Sequence, residues 1–160
     1  MLVRDYPCGY RNTETNKTYR LTLNSANGLT KITATCSAAD WGAVDWDIAA
    51  KTFSLHTLES HPEKGSGLGG LLMHQAALEA LNAGCTEMKI LNAAQTERDF
   101  YLHMGCTVDL SPLKSLKQSD FTPTEWQKMI ASCPLVGNPG EVLAAASKSM
   151  YKRWEGVAVG

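Results

Sequence analysis

Four glycines stand close together in HPEKGSGLGGLLMHQAALEAL, residues 61 to 81, directly ahead of an apolar pattern with helical spacing. Gly65, Gly67, Gly69 and Gly70 remove side chains and so expose consecutive backbone amides, and a helix starting there adds the positive end of its dipole. That combination binds phosphate. Gly65, Gly67 and Gly70 also meet the GxGxxG spacing of dinucleotide-binding loops. His61, Pro62, Glu63 and Lys64, however, separate the first glycine from the strand before it, and ILNAAQ offers only Asn92 where an acid should close the next strand. No Gly-Lys-Ser/Thr follows the glycines, which argues against a Walker A nucleotide site.

Other reactive side chains point to fewer chemistries. The five cysteines (Cys8, Cys36, Cys85, Cys106, Cys133) are odd in number, scattered and never spaced as CxxC. They read as reduced thiols, with no disulfide framework, no metal site and a cytoplasmic location as the expectation. Fifteen Lys and Arg balance sixteen Asp and Glu, so no global field draws the chain to nucleic acid or to a membrane surface. The N-terminus MLVRDYPCGYRN lacks the apolar core of a signal peptide, and no run approaches the roughly 18 apolar residues of a membrane span.

The elements that must position the glycine loop follow from periodicity. At 160 residues the chain reads as one domain. TYRLTLNS (18 to 25) and LTKITATC (29 to 36) alternate apolar and polar residues around Asn27 and Gly28, which predicts a β-hairpin. SAADWGAVDWDIAA, with Trp41 and Trp46 among three aspartates, reads as a solvated connection anchored by its tryptophans, or as the wall of a pocket for a cationic amine. KTFSLHTLES (51 to 60) is a third strand. Leu68, Leu71, Leu72, Ala76, Leu78 and Leu81 form one helical stripe ending near Gly84, with His74, Gln75 and Glu79 among the polar positions. A strand at 87 to 93 and a helix at 96 to 105 stopped by Gly105 complete a β-β-β-α-β-α order. Beyond Cys106, prolines divide the chain, with helices expected at 123 to 132 and 140 to 153.

Taken with its flanks, the stretch from Leu55 to Ala93 followed by RDFYLHMGC resembles the core of the GNAT superfamily of N-acetyltransferases. In that family a strand ending in an L-x-V-x-P-like segment leads to R/Q-x-x-G-x-G/A and a helix, and a later helix carries a pattern like FYEKLGF. This chain supplies Leu58, His61 and Pro62, then Lys64, Gly65, Ser66, Gly67, Leu68 and Gly69, and finally Phe100, Tyr101, Met104, Gly105 and Cys106, over about residues 51 to 108. Departures are visible. Lys64 stands where Arg or Gln is usual, the loop is one residue short, and Ala94 replaces an asparagine whose contact Asn92 is the candidate to restore. Only some seventeen residues precede Thr18, where most members carry two helices, so the acceptor wall is absent or rebuilt from the tail.

The resemblance implies an α/β fold with a mixed, mostly antiparallel twisted sheet flanked by helices, a reduced N-terminal helical region and an extended C-terminal tail. It also implies acetyl-CoA as acyl donor and an amine, small-molecule or protein, as acceptor. Backbone amides from Lys64 through Gly70 would take the pyrophosphate, and the free edge at Leu58 and Ser60 would pair with the pantetheine and the thioester carbonyl. Tyr101 would protonate the departing sulfur. His56 matches a strand position where some arylalkylamine acetyltransferases carry a histidine, and Glu59 and His61 are alternative bases. Strand alternation sets His56 and Glu59 on opposite faces, so one of those two would meet the acceptor. Cys106 reads as core filler. Residues 110 to 160 form an extension expected to shape the acceptor side or a homodimer contact.

Each feature has a plainer reading. The glycines also suit a tight turn with close helix packing, Tyr101 an ordinary half-buried tyrosine, and His56 a hydrogen-bonded histidine on a sheet face. A catalytically silent acyl-CoA-binding or interaction module, and a dinucleotide-binding protein, are the competing functions.

Overall fold

The computed structural model describes residues 2–61, 67–91, 93 and 97–158. Strands β1 (Leu2–Asp5), β2 (Cys8–Asn12), β3 (Thr18–Ala26), β4 (Leu29–Thr35), β5 (Trp41–Ala49) and β6 (Thr52–His61) run in sequence up to the glycine loop. Helix α1 (Leu68–Asn82), β7 (Glu87–Ile90), helix α2 (Arg98–His103) and β8 (Thr107–Val108) follow, then α3 (Pro123–Ala131), β9 (Leu135–Gly137), α4 (Pro139–Arg153) and β10 (Trp154–Ala158). The strands form a single sheet ordered β10-β2-β3-β4-β5-β6-β7-β9-β8, with β1 also pairing β3. Every described pairing is antiparallel except β6 with β7, which α1 joins by a crossover.

The hairpin turn is set by Asn27 and Gly28, whose φ values of 55° and 81° are those of the two-residue turn that matches strand twist. Alternation then sorts the sheet into rows. Leu23, Ile32, Val44 and Leu58 stand opposite one another, and the first three are buried with α1 over them. The adjacent row, Asn24, Lys31, Asp45 and Thr57, faces away from the helices. The second face is mostly polar, with Trp41 and Ala43 of β5 among its apolar members.

α1 lies across β4, β5 and β6, and α4 packs beside α1. Gly42 is where α1 comes closest to the sheet: a Cβ there would stand 2.7 Å from Leu68 Cδ2. α1 ends as the sequence predicts. Gly84 takes φ 77°, Gly84 N–H donates to Leu81 O at 3.0 Å and Cys85 N–H to Ala80 O at 2.9 Å, a Schellman closure.

Four expectations need correction. The tryptophan-aspartate connection is strand β5: Trp46 is buried and stacks on Phe53 at 5.0 Å, while Asp45 and Asp47 occupy the polar face. Trp46 therefore lines no amine pocket. The first seventeen residues form β1 and β2, and the chain after Cys106 adds β8, β9 and β10 to the sheet. Gln75, expected on the polar side of α1, is 3% exposed because β2 covers it, and its Nε2 donates to Tyr10 Oη at 3.1 Å. The strand expected at 87 to 93 is assigned only through Ile90. No helix among the described residues is long and apolar enough to cross a membrane.

Candidate active site

The site begins where two paired strands part. β6 pairs β7 from Thr52–Glu87 to Leu55–Ile90, and Leu91 N–H donates to Leu55 O at 3.0 Å. Among the described residues that pairing ends there, while β6 runs on to His61. At the same place β6 carries a bulge: the register against β5 passes from Thr57–Asp45 to Leu55–Trp46, leaving His56 as the extra residue.

The bulge resets which way each residue points. Leu55 turns its backbone toward β7, and Thr57 turns toward β5, its N–H donating to Asp45 Oδ1 at 2.9 Å. Alternation beyond it swings the backbones of Leu58 and Ser60 back to the β7 side, past the last described pairing. Those are the two positions the resemblance assigns to pantetheine. The same bulge overturns the expectation that His56 and Glu59 oppose each other. His56 Nε2 lies 2.5 Å from Asp47 Oδ2, Thr57 Oγ1 donates to Asp45 Oδ1 at 2.6 Å, and Glu59 stands opposite Ala43, so all three share the polar face. His61 shares it too, 3.6 Å from Glu59 Oε2 and stacked on Trp41 at 4.6 Å.

Helix α1 opens on Gly67, which takes φ 80° and supplies no capping side chain; the first turn contains no acid. α3 and α4 differ, with Thr122 and Asn138 capping and Glu125 and Glu141 in their first turns. The positive end of α1 is therefore offset by nothing on its own side chains. Gly69 and Gly70 also serve packing: a Cβ at Gly69 would stand 3.1 Å from Phe100 Cζ, and one at Gly70 3.0 Å from Ser149 Oγ. Their first-turn N–H groups remain at the helix start. Pro62, Lys64, Gly65, Ser66, Asn92 and Ala94 lie outside the described residues.

Phe100 against Gly69 fixes α2 beside the start of α1, and the next residue, Tyr101, enters the core at 2% exposure. Its carbonyl accepts Cys106 N–H at 3.1 Å in the closure around Gly105, φ 88°, so the glycine of FYLHMGC locks the tyrosine's turn. Burial, reinforced by the charges of Glu97 and Cys106, raises the Tyr101 phenol well above its usual range. Burial likewise raises the Cys106 thiol to about 11, which makes it a neutral filler at physiological pH. Tyr101 belongs to the helix side of the sheet and His56 to the polar side, so the two flank the parting strands from opposite faces. His74 is half-buried, and its desolvation lowers its basicity.

Two residues that spacing does not reveal complete the region. Trp154, first residue of β10, donates its Nε1–H to Gly67 O at 3.2 Å. Arg153 lies beside the same glycine: a Cβ on Gly67 would be 3.0 Å from Arg153 Cδ and 3.3 Å from Nη1, and Arg153 Nε is 3.7 Å from Glu14. More than eighty positions separate both from the loop, and no local pattern links them. Among the described residues no group of metal-ligating side chains assembles.

No protein-family model matches the sequence, and no curated protein matches it. Solved structures do. The PaiA N-acetyltransferase of Thermoplasma acidophilum, solved in complex with coenzyme A, aligns at a TM-score of 0.50 with 16% identity over 69% of this chain and 61% of its own. Gcn5 of Tetrahymena aligns at a TM-score of 0.50 with 9% identity over 71% and 69%. This chain thus spans about three fifths of the PaiA chain. The fold is that of the GNAT acetyltransferases.

Proposed function

We propose that this GNAT-type fold carries out acyl transfer, moving acetyl from acetyl-CoA to an amine. The observation that carries the reading is the parting of β6 from β7 just beyond the bulge, followed directly by a helix that begins on an uncapped, left-handed glycine. The first offers backbone groups of Leu58 and Ser60 to an extended amide-bearing chain. The second offers N–H donors and a positive dipole to a diphosphate. Pantetheine and pyrophosphate are joined in that order in coenzyme A. Lys64, Gly65, Ser66, Gly67, Leu68, Gly69 and Gly70 are assigned to the diphosphate, Asn92 to the pantetheine side, and Arg153 adds a cation at Gly67.

In this reading the amine nitrogen attacks the thioester carbonyl and loses a proton to a base on the polar face. His56 is assigned that role, with Glu59 as the alternative, and the Tyr101 phenol protonates the leaving thiolate. A silent acyl-CoA-binding module has the same cradle and differs only in lacking turnover. A dinucleotide-binding protein is less well served: β6, α1 and β7 form a parallel βαβ unit, but β6 pairs antiparallel with β5 on its other side and the remaining described pairings are antiparallel, whereas the dinucleotide fold is a mostly parallel sheet.

The deciding experiment is a thermal-shift comparison of acetyl-CoA, CoA, NAD and ATP, followed by thiol release from acetyl-CoA across an amine panel. Stabilisation by acetyl-CoA and CoA alone, with turnover on at least one amine, is expected. Stabilisation by NAD without CoA would sink the reading, and CoA binding without turnover would select the silent module.

A further inference from the structure

A bulge takes a side chain out of the regular alternation of a strand, and at His56 it delivers an imidazole to a carboxylate on the neighbouring strand. His56 Nε2 and Asp47 Oδ2 are 2.5 Å apart, with the two side chains 34% and 38% exposed. The bulge is pinned from its other residue, since Asp45 takes both the N–H and the Oγ1–H of Thr57. A carboxylate on one ring nitrogen of a neutral imidazole fixes the tautomer: the proton stays on the bonded nitrogen, and the lone pair sits on the other.

We propose that Asp47 is a positioning residue that holds His56 with its Nε2–H toward β5 and leaves Nδ1 as the nitrogen that takes the acceptor's proton. The proposal rests on the acyl-transfer reading and on His56 as its base. The amine lone pair forms the C–N bond, the C–S bond breaks, the amine proton passes to His56 Nδ1 and the sulfur takes the Tyr101 phenolic proton. The imidazolium and phenolate return to their starting states by exchange with water. While His56 is cationic, Asp47 is its nearest counter-charge. Among the described residues, the other charged or titratable groups of that face nearby are Asp45 on β5, Glu59 and His61 on β6, Lys31 on β4, opposite Asp45, and on β7 Lys89, opposite Ser54 and 3.7 Å from Glu87. Asp45 is engaged by Thr57 and Glu59 lies nearest His61, which leaves Asp47 as the acid that orients the ring.

The first measurement needs no variant. Ring nitrogen NMR of the wild-type protein, taken where the imidazole is neutral, should place the His56 proton on Nε2; finding it on Nδ1 overturns the proposal and leaves acyl transfer standing. The second uses Asp47→Asn with acetyl-CoA and the amine that the wild type acetylates fastest. Its kcat should fall about ten- to a hundredfold, part of the ~10²–10⁴ that a general base supplies, with KM for acetyl-CoA unchanged. The same substitution in a His56→Gln background should cost nothing further. An equal loss in both backgrounds marks a purely structural Asp47 and defeats the idea, as does an Asp47→Asn enzyme as fast as wild type. A wild-type protein that binds acetyl-CoA but acetylates no amine defeats this proposal and the acyl-transfer reading together.

Discussion

Tyr101 and Cys106 are buried by the same closed turn, and burial keeps both protonated at neutral pH. A phenol so placed is protonated when the thiolate leaves and cannot serve as the base, although the same burial makes it a weaker acid than an exposed phenol. Tyr101→Phe should therefore lower kcat by ~10²–10⁴ while acetyl-CoA affinity measured by calorimetry stays at the wild-type value. Cys106 allows a test that needs no substrate. Its folded-state value of about 11 lies above the ordinary 9.0, so ionisation favours the unfolded chain. The stability it contributes is complete below pH 9 and is lost as pH rises toward about 11. Denaturant melts across that window should fall more steeply for wild type than for Cys106→Ala, by an amount on the order of 2 kcal/mol at the alkaline end. Parallel slopes would contradict the buried-thiol assignment. Both residues were legible because FYLHMGC sets them on either side of a helix-stopping glycine, Gly105. Arg153 was not, since only the folded chain brings it to Gly67.

At the scale of elements, the hairpin around Asn27, α1 with its stop at Gly84 and α2 with its stop at Gly105 follow from period and from glycines that adopt positive φ. β5 hid behind its composition. Asp40, Asp45 and Asp47 look like loop chemistry, yet the last two alternate with Val44 and Trp46 and simply form the polar face of a strand. The bulge at His56 was invisible for a related reason: pairing register is a property of two strands and leaves no mark on one. The start of α1 makes an element-level prediction. Gly67→Ala puts a Cβ at φ 80°, 3.0 Å from Arg153 Cδ, at a cost of about 1–2 kcal/mol. Tm should fall by several degrees and acetyl-CoA should bind more weakly as Arg153 is displaced. Thr122→Ala, which breaks the capping box of α3, should cost about 1 kcal/mol and leave acetyl-CoA binding intact. Equal effects of the two substitutions on affinity would separate Gly67 from the ligand.

Across the whole molecule, β2 and β10 meet although they are far apart in sequence. β10 pairs antiparallel with β2 along Trp154–Asn12 to Ala158–Cys8, and the Trp154 ring sits edge-on to Tyr19 at 5.6 Å. The sheet edge farthest from β7 is thus tied, through one indole, to the glycine that starts α1. This makes the C-terminal segment part of the construction of the candidate site, a role that composition alone does not signal. Two functions of Trp154 can be separated. Trp154→Phe keeps most of the ring in the core and removes the donor to Gly67 O, so stability should drop by about 1 kcal/mol while acetyl-CoA binds several-fold more weakly, because the helix start loses one of its restraints. Trp154→Ala removes the ring as well and should cost about 3–5 kcal/mol, read as a lowered denaturant midpoint. If Trp154→Phe matches wild type in acetyl-CoA affinity although its midpoint falls, the tryptophan holds the sheet edge alone and the glycine loop is positioned without it.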